Sequence, residues 1–70
     1  MNIKRLIEFR ERKGYSQEQM AKALGYKSKA SYSLIEAGKT RIHIELANKI
    51  SNVLELTKNE ILEIFFNNKV

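Results

Sequence analysis

The chain has 70 residues, the size of one small domain, and its 13 lysines and arginines against 8 glutamates give a net charge of +5. Hydrophobic residues make up 43% and charged residues 30%, the balance of a folded domain rather than of a disordered segment. The sequence contains no cysteine, which excludes disulfides, thiolate nucleophiles and cysteine-ligated metal sites. No apolar run approaches the roughly 18 residues of a membrane span, and none follows the basic pair Lys4 and Arg5 as in a signal peptide, so we expect a cytoplasmic protein.

Three glycines divide the first part of the chain into helices. Each follows a stretch of helical hydrophobic pattern, where a glycine in the left-handed conformation often ends a helix. We predict helices over about residues 3–13, 17–24 and 29–37, ended by Gly14, Gly25 and Gly38. Ser16 with Gln19 predicts a capping box before the second helix, and Ser28 is the cap candidate of the third. The residues predicted to face the core are Leu6, Phe9, Met20, Ala21, Leu24, Tyr32 and Ile35, with Ile3 and the aliphatic stem of Lys13 as further candidates on the first helix.

Two further helices are predicted in the second part of the chain. After a basic loop at residues 39–41, a fourth helix begins at His43 or Ile44 and ends near residue 54, with Ala47, Ile50, Val53 and Leu54 in the core. Thr57 and Glu60 form a second capping-box pattern, which predicts a fifth helix over about residues 58–66. Since no strand pattern is present, we expect an all-α domain of five short helices spanning residues 1–70.

The second and third predicted helices have the size of a helix-turn-helix, with a tight glycine turn between them. The stretch at residues 16–39 resembles the helix-turn-helix of the Cro/repressor family, also called the xenobiotic-response-element (XRE) type, and the resemblance covers nearly the whole chain. Residues that match the family are Arg10, Gly14, Ser16, Gln17, Ala21, Leu24, Gly25, Ser33, Ile35, Glu36 and Gly38. The resemblance implies a lambda-repressor-like fold and binding to double-stranded DNA.

The chain departs from the family pattern at three places. The turn between the second and third helices is one residue longer than in the shortest family members. Ile42 and His43 stand where a proline and a serine cap are usual, and Ala30 and Leu34 stand where longer polar side chains are more frequent.

The resemblance assigns roles to individual residues of this sequence. The third helix would lie in the major groove, where Lys29, Ser31 and Ser33 could donate hydrogen bonds to bases, and Ala30 and Leu34 could touch thymine methyl groups. The candidates for phosphate contacts are Gln17, Tyr26, Lys27, Ser28, Lys39, Thr40 and Arg41. Arg10 and Glu36 stand at positions that the family often joins in an ion pair, which would fix the angle of the third helix.

The charge distribution agrees with an anionic partner. Residues 1–41 carry ten basic and four acidic side chains, a net +6, whereas residues 42–70 carry three basic and four acidic ones, a net −1. Such a split is typical of a nucleic-acid-binding domain, although a solvated basic surface would produce it as well.

The apolar segment at residues 61–66 predicts a contact with a second copy of the chain. A helix of a small domain needs one apolar stripe for its own core, and Ile61, Leu62 and Phe65 could supply it. Ile64 and Phe66 would then be free for a dimer contact. A two-fold dimer would place two third helices about one DNA turn apart and would require a palindromic site.

The residue types argue against an enzyme. His43 is the only histidine, and no cysteine or aspartate is present to complete a catalytic triad or a metal site. A glycine-rich phosphate loop is also missing, so we expect neither a cofactor nor a metal, and His43 is expected to act as an imperfect helix cap.

The sequence therefore predicts a sequence-specific DNA-binding regulator, most plausibly a small repressor of the phage or mobile-element type. One alternative is an autoregulator of the antitoxin or restriction–modification controller type. Another is a protein-interaction module that kept the fold and lost DNA readout. Ala30 and Leu34, as short or apolar readers, favour this last alternative.

Overall fold

The computed structural model of the chain describes residues 1–66. It contains five helices, which are α1 (Ile3–Arg12), α2 (Gln17–Ala23), α3 (Lys29–Glu36), α4 (Ile44–Leu54) and α5 (Lys58–Phe65). No strand occurs among these 66 residues. The predicted all-α fold is confirmed, and α1, α2, α3 and α5 each end one residue earlier than predicted.

Four of the helices begin with a side-chain N-cap, and the cap of α4 is His43. Ser16 and Gln19 form the predicted capping box of α2, and Thr57 with Glu60 forms the one that begins α5. Asn2 caps α1 by accepting a hydrogen bond from the Arg5 amide at 3.1 Å, which the sequence reasoning missed. Ser28 occupies the cap position of α3 but makes no side-chain hydrogen bond there.

The end of α3 shows why a glycine is required at that point. Gly38 has a φ of +76°, in the left-handed region, where its amide donates to the carbonyl of Ile35 and the Lys39 amide donates to that of Leu34. A Cβ at Gly38 would also lie 3.1 Å from the Cδ1 atom of Ile3. Both the turn and the contact with α1 therefore fix the point at which the chain leaves α3.

The core lies between all five helices. Its fully or nearly fully buried apolar residues are Leu6, Phe9, Met20, Ala21, Leu24, Tyr32, Ile35, Leu46, Ala47, Ile50, Leu54 and Ile64. The residues of the first three helices that were predicted to face the core are buried, except Ile3, which is half-buried, and Lys13, which is exposed. In α4, Val53 is half-buried against the core rather than within it, and Leu46 joins the core instead.

The predicted orientation of α5 is wrong at two positions. Ile64, which we expected to be free for a dimer contact, is fully buried, whereas Leu62 is 46% exposed although it was expected in the core. The reason is the docking of α5 on α1. The Asn2 amide donates to the Ile64 carbonyl at 2.6 Å, and Arg5 Nε donates to Glu63 at 2.6 Å. These contacts turn Ile64 inward and leave Leu62 and Phe66 outside.

Candidate nucleic-acid interface

The turn between α2 and α3 is formed by backbone hydrogen bonds of α2 itself. The Gly25 amide donates to the Lys22 carbonyl, and the Tyr26 amide donates to the Ala21 carbonyl at 2.8 Å. Ala21 is buried in the same core cluster as Tyr32 and Ile35 of α3. The two helices therefore pack directly on each other, and α3 is held with one face in the core.

The outer face of α3 carries the five residues predicted to read bases. Lys29 and Ala30 are exposed, Ser31 and Ser33 are half-buried, and Leu34 is 47% exposed. Ser33 Oγ donates to the Ala30 carbonyl at 3.0 Å, so in this rotamer its oxygen is left to accept a hydrogen bond. Lys29, Ala30 and Leu34 are therefore the exposed members of this set, and Lys29 is the one with a long hydrogen-bonding side chain.

Basic side chains stand at both ends of this surface. Lys27 is exposed in the turn before α3, and Lys39 and Arg41 are exposed in the loop after it. Of the other phosphate candidates in these segments, Ser28 is exposed, and Tyr26 and Thr40 are half-buried. Exposed positive charges therefore lie directly before and directly after α3 in the chain.

The predicted ion pair between Arg10 and Glu36 is present and nearly buried. Arg10 Nε donates to Glu36 Oε2 at 2.6 Å, and only 10% and 5% of the two side chains are exposed. Arg10 Nη1 also donates to the Tyr15 carbonyl at 2.7 Å. The pair joins α1, the turn before α2 and the last residue of α3, so it fixes the position of α3 relative to the rest of the domain.

Both groups of the pair stay charged. Burial by itself disfavours the carboxylate of Glu36, but the hydrogen bonds that Arg10 and Gln17 donate outweigh it and hold the pKa of Glu36 below its usual value. Burial likewise disfavours the guanidinium, but Glu36 outweighs it and raises the pKa of Arg10.

The side chain of Gln17 lies in a position that the sequence reasoning missed. It is half-buried, and its Nε2 donates to Glu36 Oε1 at 2.8 Å. The first residue of α2 is thereby bonded to the last residue of α3. No local pattern could have revealed this contact, because it joins residues 19 positions apart.

Tyr32 lies beside the same cluster. Its ring is fully buried, and its hydroxyl has no hydrogen-bond partner among the described residues. Burial raises the pKa of Tyr32, and the neighbouring carboxylate of Glu36 raises it further, so the hydroxyl stays protonated.

His43 acts as the predicted imperfect cap. Its Nδ1 accepts a hydrogen bond from the Leu46 amide at the long distance of 3.4 Å, at the start of α4.

Among residues 1–66, no group of three or more side chains is arranged to hold a metal ion. No helix in the described part of the chain is long and apolar enough to cross a bilayer.

A groove lies where the N-terminus, the loop before α4 and the end of α5 meet, and Thr40 and His43 line it together with apolar side chains. Its volume is about 400 Å³, and it includes the exposed side chains of Met1, Ile44 and Phe66. Leu62 lies on α5, four residues before Phe66, which directly follows the helix, and is exposed as well. We refer to Leu62 and Phe66 as the α5 stripe.

Comparison with known proteins adds a family to this geometry. A protein-family model described as "Helix-turn-helix" matches residues 6–61, which is 56 of the 70 residues and includes α1 to α4 apart from the start of α1. Searches of curated proteins and of solved structures found no significant match.

Proposed function

The chain belongs to the Cro/repressor-like, XRE-type helix-turn-helix family of DNA-binding transcription regulators, and on that premise we propose that it is a small repressor that reads a specific DNA sequence with α3. The observation that carries this proposal is the outer face of α3. It is exposed, it is framed by Lys27, Lys39 and Arg41, and it is fixed from behind by the Arg10–Glu36 pair.

The basic residues at the two ends of α3 are suited to the phosphates on either side of a major groove. Lys27, Lys39 and Arg41 would neutralise phosphate charge, and Gln17, Tyr26, Ser28 and Thr40 would add hydrogen bonds to the backbone. Such contacts fix the register of the protein on DNA without specifying a sequence.

Base recognition would come from the outer face of α3. Lys29 is the one long donor and is suited to O6 or N7 of guanine, while Ala30 and Leu34 are suited to thymine methyl groups. Ser31 and Ser33 are short and half-buried. Specificity would therefore depend in part on water and on DNA shape as well as on direct contacts.

Repression would follow from occlusion of a promoter by a dimer on a palindromic site. The exposed side chains of the α5 stripe support a dimer contact. Phe66 remains a proposed contact residue, and Leu62 replaces Ile64 as the second one because Ile64 is buried. A symmetric interface needs a surface without strong net charge, and residues 42–70 supply it with their net −1.

A protein-interaction module is the second candidate, and the 47% exposure of Leu34 favours it. An exposed leucine in the middle of the outer face suits an apolar partner surface as well as a thymine methyl group. The two functions predict different behaviour with random-sequence DNA. At low salt, a DNA-binding domain binds such DNA and a protein-interaction module does not.

Selection of bound sites from a random duplex library tests the proposal. We expect one enriched palindromic motif, and we expect Lys29→Ala and Ser31→Ala to relax it at one or two positions each, by about 1–3 kcal/mol per good direct contact. Lys58→Ala, at an exposed position of α5, is the matched control and should select the parent motif. Failure of the parent to enrich any sequence or to shift any duplex at low salt would exclude DNA readout.

A further inference from the structure

We propose that Glu36 positions Gln17 for its phosphate contact, so that a single buried carboxylate sets both the angle of α3 and the orientation of the DNA-backbone clamp at the start of α2. This inference rests on the function proposed above. It assigns to Glu36 a second task beside its pairing with Arg10.

The geometry of the carboxylate shows two tasks divided between two oxygens. Oε2 accepts the short hydrogen bond from Arg10 Nε, at 2.6 Å. Oε1 accepts from Gln17 Nε2 at 2.8 Å and more weakly from Arg10 Nη2 at 3.4 Å. Gln17 thus takes the better position on Oε1, and its bond to Glu36 is shorter than the second contact of Arg10 with that oxygen.

The chemistry of the amide allows it to serve Glu36 and a phosphate together. A glutamine NH₂ group has two donors, and both carboxylates and phosphates only accept. One N–H is committed to Glu36, which leaves the other free to donate to a phosphate oxygen. The charge of Glu36 does not stand in the way, because Arg10 neutralises it and only 5% of its side chain is exposed.

The bond also reduces the entropy that DNA binding must remove. A free glutamine samples many rotamers, and fixing it on a phosphate is unfavourable. Gln17 is already half-buried and bonded at its terminal amide. The clamp is therefore preorganised, and its contribution to affinity depends on Glu36.

Glu36→Gln separates the two tasks. An amide offers one oxygen and one NH₂ group, so it can accept from Arg10 or from Gln17 but not fully from both. The charged, bidentate partner Arg10 should take the oxygen, and the NH₂ group would then face the NH₂ group of Gln17 and release it. Gln17→Leu removes the amide directly and keeps most of the side-chain stem.

A double-mutant cycle on DNA affinity tests the proposal. Kd is measured on the selected duplex for the parent, Gln17→Leu, Glu36→Gln and the double variant, at a temperature where circular dichroism shows each to be folded. We expect each single change to weaken binding by about 3- to 10-fold, and the second change to add less than about 2-fold to the first. Asn48→Leu, which removes an exposed amide from α4, is the matched control and should leave Kd unchanged.

A second measurement does not depend on DNA. In ¹⁵N NMR spectra of the free protein, the Gln17 side-chain NH₂ resonances should be displaced from random-coil positions, and Glu36→Gln should return them there. Random-coil resonances in the parent, or fold-changes in Kd that simply multiply, would overturn the positioning role alone. A parent that binds no duplex while its Gln17 resonances remain displaced would overturn the proposed function and the phosphate contact with it.

Discussion

Arg10 and Glu36 stand 26 residues apart in the chain, and the 2.6 Å bond between them ties the last turn of the domain's first helix to the last turn of the helix that carries the proposed base readers. The outer face of α3 is therefore positioned by a contact on its opposite side. If α3 reads DNA as proposed, Arg10 of α1 contributes to recognition by holding α3 in position, without contacting DNA itself.

We expect Arg10→Ala to lower the free energy of unfolding by about 3–5 kcal/mol, because it leaves the buried carboxylate of Glu36 without its cation. In a domain of this size that is a large part of the total stability. Urea denaturation followed by circular dichroism measures it. Arg12→Ala is the matched control, since Arg12 lies on the same helix, is exposed and has its guanidinium over the ring of Phe9 at 5.1 Å rather than in a buried ion pair. Equal losses for the two variants would contradict a buried pair.

Stability should fall with acid through Glu36. Its pKa is lower in the folded chain than in the unfolded one, so the unfolded state binds a proton first as the pH falls. The contribution of Glu36 is complete above the ordinary pKa of glutamate, about 4.3, and is lost as the pH falls through the lower folded value. Urea midpoints between pH 7 and pH 3 measure this loss, and Glu36→Gln should flatten it.

The exposed Glu63 provides the comparison for that measurement. Hydrogen bonds from Arg5 lower the pKa of Glu63 in the same direction. Because solvent screens this pair, Glu63→Gln should change the acid dependence less than Glu36→Gln does. The reverse order would show that the acid response does not come from the buried carboxylate.

Tyr32→Phe should leave the free energy of unfolding unchanged or raise it by up to about 1 kcal/mol. The hydroxyl is buried beside Glu36 but makes no hydrogen bond of good geometry among residues 1–66, so its removal should lose little and should recover a desolvation cost. Thermal melting measures this, with Tyr32→Ala as a control that should lose about 3–5 kcal/mol of ring packing. A loss above about 1 kcal/mol on Tyr32→Phe would show that the hydroxyl bonds to Glu36 in solution.

The parts of the fold that the sequence predicted are those with local signals. Gly38 after an apolar helical pattern, and Ser16 three residues before Gln19, act within one helical turn. For that reason the helix limits were correct to about one residue. The buried faces of α2 and α3 were also predicted, since each of these helices has a single apolar stripe.

The errors concern features that the local sequence pattern leaves open and that tertiary contacts determine. In α5 the periodicity is compatible with Leu62 or with Ile64 in the core, and only the docking of Asn2 and Arg5 on α5 decides for Ile64. The bond between Gln17 and Glu36 was missed for the same reason, because it depends on how α2 and α3 pack and has no local signature.

Arg41→Ala should weaken binding to all DNA sequences about equally and should flatten the slope of log Kd against log salt by about one unit. The physical reason is that one phosphate fewer is neutralised and about one counterion fewer is released. Fluorescence anisotropy at four salt concentrations measures the slope. Lys58→Ala removes the same charge from an exposed position of α5 and should leave the slope near that of the parent. A slope that neither variant changes would place the phosphate contacts elsewhere.

Phe66→Glu should convert a dimer into a monomer while the protomer stays folded. Phe66 is 48% exposed, so a carboxylate there meets water in the monomer, but it would be buried without a partner between two copies. Light scattering after size exclusion, at high micromolar concentration, should show twice the protomer mass for the parent and one protomer mass for the variant. Asn52→Glu, at an exposed position of α4, is the control for added charge and should stay dimeric. Ile64→Glu is not a substitute test, because Ile64 is fully buried and its replacement would unfold the protomer. A parent that remains a monomer in free solution, and that binds a palindromic duplex equally well with or without Phe66→Glu, would show that the α5 stripe is not the dimer contact.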